Sequence, residues 1–139
     1  MVVRFRPYEE NDVYAVKLRE GDAMGTAVMK YDGPAWTMVN DKDEPIACYG
    51  VSPITEKIGF LWAFISDEAR GNGIKMIKEG RKMINHALSD LGLHRVQSIV
   101  RADRPEYKRF SLALGLECEG LMRKAADNGQ DIWLFAKVT

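Results

Sequence analysis

Four consecutive positions, Arg70-Gly71-Asn72-Gly73, join a guanidinium to two residues without side-chain bulk. The run that follows, to Leu91, places apolar residues at helical spacing, so the glycines open directly into a helix. At such an N-terminus the first backbone N–H groups lack intrahelical partners and the helix dipole is positive. Glycine lets a ligand come close to that backbone, so the pattern describes an anion cradle, most naturally for phosphate. Other side chains able to do chemistry are scattered: Glu9, Glu10, Asp22, Glu56, Tyr107 and Ser111. The two histidines, His86 deep in a helix and His94 in a turn, are poorly placed for proton transfer.

The residues that lead into the cradle are Ile58-Gly-Phe-Leu-Trp-Ala-Phe-Ile65, a nearly continuous apolar run that fits a strand buried on both faces. Around it, the chain alternates short strands and helices. Val2–Phe5 reads as a strand ended by Pro7. A helix is expected from Glu9–Asp12 onward, carrying Val13, Val16 and Leu18, with Asn11 or Asp12 as cap. After Gly21-Asp22 a second short helix is expected over 23–31. Strands follow at Ala35–Val39, Ile46–Val51 and Lys57–Ile65, joined by polar turns as an antiparallel meander.

The long helix puts Ile77, Gly80, Ile84, Ala87, Leu88 and Leu91 on one face, with Gly92 as its C-terminal stop. Gly80 inside the helix implies close approach to the sheet. Arg95–Val100 is then a strand parallel to the central one. Pro105 starts a helix through Tyr107–Leu114, and Leu116–Met122 and Asp131–Val138 are the final strands about an Asp127-Asn128-Gly129 turn. The expected fold is α/β: a mixed, mostly antiparallel sheet of about seven strands with about four helices, in a single domain spanning 1–139.

The chain has 139 residues and a formal net charge of zero, so nothing global argues for nucleic acid or a membrane surface. The apolar run at 58–65 is far below the ~20 residues of a bilayer span, and the first residues lack a signal-peptide pattern. A cytoplasmic protein is the expectation. Cys48 and Cys118 form no paired motif and read as small buried hydrophobes, and no metal site is expected. Trp36, Trp62 and Trp133 read as core or sheet-face residues.

The element order, the Arg70-Gly71-Asn72-Gly73-Ile74 loop and the opening Val3-Arg4-Phe5-Arg6-Pro7 resemble the GCN5-related N-acetyltransferase (GNAT) superfamily across essentially the whole chain. Gly115-Leu116 stands where that family has Gly-Phe after its last helix. A narrower likeness, in Trp62…Ser66-Asp67 and Tyr107–Gly115, is to small acetyltransferase-like proteins of tailed bacteriophages, some tied to virion morphogenesis. The resemblance implies acetyl-CoA as cosubstrate, transfer to a primary amine of a small molecule or protein, and a homodimer as partner. It implies pantetheine contacts at Phe64, Ile65 and Ser66, an oxyanion donor near Ile65, and pyrophosphate contacts at Arg70, Gly71, Asn72, Gly73 and Ile74.

Two departures from the family pattern bear on catalysis. Lys75 replaces a small residue, where it either obstructs the pyrophosphate or adds a cation to it. Ser111 replaces the tyrosine that protonates the leaving thiolate, and Arg104 replaces an asparagine. Tyr107, one turn before Ser111, is either a packing tyrosine or the donor of a displaced hydroxyl. Glu56 is either the base, directly or through water, or an exposed turn carboxylate. Glu9, Glu10 and Asp22 either bind a cationic acceptor or cap helices. The competing expectation is a GNAT-like structural or interaction protein, of which a phage virion protein is one kind, with weakened catalysis or ligand binding alone.

Overall fold

β4 (Ile58–Ile65) lies at the middle of a seven-stranded sheet in the order β1-β2-β3-β4-β5-β7-β6. A computed structural model describes residues 2–18 and 32–139. β1 (Arg4–Pro7), β2 (Ala35–Val39), β3 (Pro45–Pro53) and β4 form an antiparallel meander. The helix α2 (Gly73–Ser89) then crosses over, so that β5 (Arg95–Arg101) runs parallel to β4. After α3 (Pro105–Ala113), β6 (Glu117–Met122) and β7 (Ile132–Val138) complete the sheet antiparallel to their neighbours.

Alternation along β4 divides the core between two faces. Leu61 joins Ile84, Ala87, Val96, Leu114 and Phe135 under α2 and α3. Its neighbour Trp62 turns the other way, with Phe64, Cys48, Val13 and Val16. α2 buries Met76, Gly80, Met83, Ile84, Ala87 and Leu88. That stripe includes the expected Gly80, Ile84, Ala87 and Leu88, but Met76 and Met83 complete it, while Leu91 lies exposed beyond the helix end. Gly80 serves a helix contact more than a sheet contact: a Cβ there would stand 2.6 Å from Leu114 Cδ2.

The structure revises several expectations. β3 runs on to Pro53 because Ser52 and Pro53 pair with Phe60 and Gly59. The helix expected from Glu9 to Leu18 shrinks to a single turn, α1 (Asp12–Ala15), since Val16 takes an extended conformation. Asn11 occupies its cap position with φ 71° but makes no side-chain cap bond. The helix expected over 23–31, and Asp22, lie outside the described residues. Cys48 is buried and its thiol is pushed up to about 12, first by burial and then by the Asp12 charge, which removes it as a nucleophile. Cys118 is exposed on β6, contrary to expectation. Trp62 is core, whereas Trp36 is exposed.

Asp12 is a cap of another kind. Its carboxylate is 6% exposed and accepts from Arg6 Nη1 and Nη2 at 2.8 and 3.0 Å, from Thr37 Oγ1 at 2.7 Å and from the Glu9 N–H at 2.8 Å. Burial alone would raise its pKa, but the hydrogen bonds from Arg6, Glu9 and Thr37 outweigh burial and hold it below the usual carboxylate value. It ties the α1 turn to β1 and β2. Because only the ionised form accepts all four bonds, Asp12 stabilises the fold fully above about pH 5, and the contribution is lost as pH falls through 4 and below. Asp12→Asn is expected to cost about 3 kcal/mol in chemical denaturation. The wild-type melting temperature is expected to fall more between pH 5 and 3 than that of the variant.

Candidate active site

β4 and β5 pair only at Ile58↔Arg95, Gly59↔Val96 and Phe60↔Gln97. Beyond Phe60 the strands diverge while β4 remains paired to β3 through Ile65↔Ala47, so the sheet splits along one line. Antiparallel pairing turns the backbone groups of successive residues to alternate sides. The Ser66 N–H goes to Ile46 O on β3 at 3.0 Å, which assigns Phe64 and Trp62 to the β3 side as well. Leu61, Ala63 and Ile65 therefore aim their N–H and C=O groups at the split. The Leu61 carbonyl is met there by Ser98 Oγ of β5 at 2.9 Å, a side chain standing in for the missing strand bond. Ala63 and Ile65 face the open part.

The opening is a cleft of about 390 Å³. Because β4 contributes residues of both faces to it, Leu61, Ala63 and Ile65 with Phe60, Trp62 and Phe64, the cleft passes through the sheet rather than denting one side. Its far wall is Ser98, Ile99, Val100 and Arg101 of β5, and α3 closes it with Tyr107, Phe110, Ser111 and Leu114. A mostly apolar gap edged by unpaired backbone groups suits an extended, amide-bearing chain, which would join the sheet as a strand does.

At the end of β4 the chain enters a 3-10 turn, Glu68–Asn72, and then α2. Two ties fix this loop: Ser66 Oγ donates to Ile46 O at 2.6 Å, and Asn40 Nδ2, buried in the β2–β3 turn, donates to Glu68 Oε2 at 2.9 Å. Asn72 makes no side-chain cap bond to α2. A Cβ on Gly71 or Gly73 would meet nothing within 4 Å, so open space lies over both glycines. Ile74 is 87% exposed, an apolar side chain that the fold itself leaves in solvent. Lys75 is exposed and makes no hydrogen bond or ion pair among the described residues.

Arg70 is placed differently from the expected phosphate contact. Its guanidinium turns into the cleft, where Nη2 donates to the Tyr107 hydroxyl at 2.9 Å and Cζ lies 5.1 Å from the Tyr107 ring centroid. Nε holds Asp67 at 3.1 Å. Tyr107 is thus held at the cleft by the Arg70 guanidinium. Ser111 also lines the cleft, but its hydroxyl donates to the Tyr107 carbonyl at 3.0 Å, committing its proton to the helix backbone.

Other candidates are not brought together with these. Glu56 sits exposed in the β3–β4 turn, at the opposite end of β4 from the glycine loop. Glu9 and Glu10 are exposed near α1. His86 pairs with Asp90 on the outside of α2, and His94 is exposed. Ser66 is consumed by β3 and does not line the cleft. Arg104 Nε at the start of α3 is buried without a hydrogen-bond partner among the described residues. The cleft adds residues that the sequence reading passed over: Ala63, Ser98, Arg101, Asp127 and Asp131. Asp127 belongs to what reads as an ordinary turn and Asp131 to the expected start of the last strand, and only the sheet order carries them to the cleft. Among the described residues no group of three or more His, Cys, Asp or Glu side chains is arranged to hold a metal ion.

No protein-family model and no curated protein sequence matches the chain. Solved structures do. A ribosomal-protein-S5-alanine acetyltransferase from Vibrio fischeri superposes with a TM-score of 0.73 at 18% identity, covering 98% of this chain and 92% of that one. An acetyltransferase of the GNAT family from Bacillus anthracis gives 0.70 at 15%, covering 98% and 94%. A variant of a spermidine N-acetyltransferase from Vibrio cholerae gives 0.69 at 14%, covering 97% and 94%. Identities at this level speak for architecture and not for substrate. With its split between β4 and β5 and the glycine loop at the end of β4, the chain has the fold of the GCN5-related N-acetyltransferases.

Proposed function

We propose that the chain is an acyl-CoA-dependent N-acyltransferase, moving an acetyl-type group from a coenzyme A thioester to a primary amine. One observation carries this reading: the unpaired Ala63–Ile65 edge and the open glycine loop lie at successive points along one strand and its exit. A ligand with two amides and a pyrophosphate matches that sequence of groups. The Ala63 and Ile65 backbone pairs with the pantetheine amides, and Gly71 to Ile74 with the α2 N-terminus take the pyrophosphate. The family resemblance implies Phe64, Ile65 and Ser66 for the pantetheine and Arg70 to Ile74 for the pyrophosphate, and shares Ile65 and Gly71 to Ile74 with this assignment.

In the transfer, the amine lone pair attacks the thioester carbonyl, and a free N–H at the Ile65 edge stabilises the oxyanion. The C–S bond then breaks and the thiolate takes a proton. Tyr107 is the proposed donor, because it lines the cleft with its hydroxyl held in place by Arg70 Nη2. The amine must arrive unprotonated. Asp127 and Asp131, at the cleft, are better placed than Glu56 to accept its proton. Lys75, exposed at the start of α2, is the proposed further cation for the phosphates, meeting them from the solvent side.

Calorimetry with free CoA and acetyl-CoA tests the binding step. Gly73→Val removes no internal contact and improves helix propensity, so it is expected to keep or raise the melting temperature while weakening CoA binding at least about tenfold. Equal CoA affinity in wild type and variant would contradict the loop assignment. Tyr107→Phe is expected to lower kcat about 100-fold in a thiol-release assay with KM for the donor little changed. Coenzyme binding without thiol release against a panel of amines would instead identify a ligand-binding or structural protein.

A further inference from the structure

Behind the cleft, between β4 and α2, lies a second and much smaller cavity of about 30 Å³. Its lining is almost wholly apolar: Met38 and Ala47 from the sheet, Met76 and Gly80 from α2, and Phe110 and Leu114 from α3. Such a space disfavours water, because Tyr49 is the one lining residue with a polar side-chain group and water needs two to four polar partners. The cavity borders the cleft. Leu61, Ala63, Ile65, Phe110 and Leu114 line both. Gly80 forms part of its roof by lacking a side chain, since a Cβ there would run into Leu114.

Close-packed interiors rarely keep an empty apolar space, as each lost contact costs dispersion energy. Here the space is kept beside the strand edge at which the thioester is to be held. We infer that this cavity is an acyl-chain annexe, and that the donors preferred are short apolar acyl-CoA thioesters longer than acetyl, of the propionyl and butyryl class. The size limits the chain: about 10–15 Å³ holds one water-sized group, so roughly two further carbons fit. This inference rests on the N-acyltransferase reading above. It specifies the donor that the cleft selects.

The experiment is a calorimetric series on the whole chain with free CoA, acetyl-, propionyl-, butyryl- and hexanoyl-CoA. Affinity is expected to rise about fourfold per added carbon up to butyryl and then to stop rising, as burial of each methylene contributes. Ala47→Val, a residue of the annexe that does not line the cleft, is expected to abolish the gain from acetyl to butyryl while free CoA binds as before. Met76→Ala, which enlarges the same space, is expected to carry the rise on to hexanoyl-CoA and keeps the test decisive if Ala47→Val misfolds. A wild type that binds free CoA but binds butyryl-CoA no better than acetyl-CoA overturns the annexe alone. So does an Ala47→Val variant that weakens acetyl- and butyryl-CoA equally. Failure to bind even free CoA overturns the acyltransferase reading and the annexe with it.

Discussion

Backbone N–H and C=O groups inside a protein need partners, and the split between β4 and β5 leaves a row of them without regular ones. The strands part after three residue pairs, and the fold accommodates this locally: Ser98 lends its hydroxyl to Leu61, and the remaining edge at Ala63 and Ile65 is left facing a cleft. A sheet interrupted at its centre would ordinarily close or fill. This one is held apart because both halves are anchored elsewhere. β4 is paired with β3 along its whole length, β5 is paired with β7 from Arg95 to Arg101, and α2 and α3 brace both halves from one face. The opening is therefore a stable feature of the architecture, ready to take a strand-like ligand.

The same economy governs the loop that follows. Ser66 and Asn40 pin the 3-10 turn to the β3 start and the β2–β3 turn, which fixes where α2 begins and points its first N–H groups outward. Space over Gly71 and Gly73 is left empty. On the cleft side, Arg70 connects this loop to α3 through Tyr107, so the proposed phosphate end and the proposed proton donor share one hydrogen bond.

Much of this was legible in the sequence, for identifiable reasons. The meander, the crossover helix and the final hairpin follow from apolar runs separated by strong turn residues, such as Gly33-Pro34 and Asp127-Asn128-Gly129. The glycine loop was legible because glycines between a strand and a helix have few other uses. What was not legible depends on tertiary placement. Arg70 looks like a phosphate ligand until the distance to Tyr107 is known, and Ser111 looks like a candidate acid until its hydroxyl is found bonded to the helix backbone. Glu56 was singled out for its place before the central strand, yet the strand carries it away from the cleft. The α1 helix was overextended because Val13, Val16 and Leu18 keep helical spacing, whereas Asp12 holds a turn to the sheet through Arg6 and Thr37. Ala63 and Ser98 carry no local signal at all, since their importance lies in the strand partner they lack.

The central claim is that the Ala63–Ile65 edge is the docking line for an acyl-CoA. Residue-resolved amide hydrogen exchange, with and without saturating acetyl-CoA, addresses it most directly. The account predicts that the Ala63 and Ile65 amides exchange faster than those of Trp62 and Phe64 in the free protein and become protected when the ligand is bound. Protection confined to other strands, with Ala63 and Ile65 unchanged by a ligand that demonstrably binds, would contradict it.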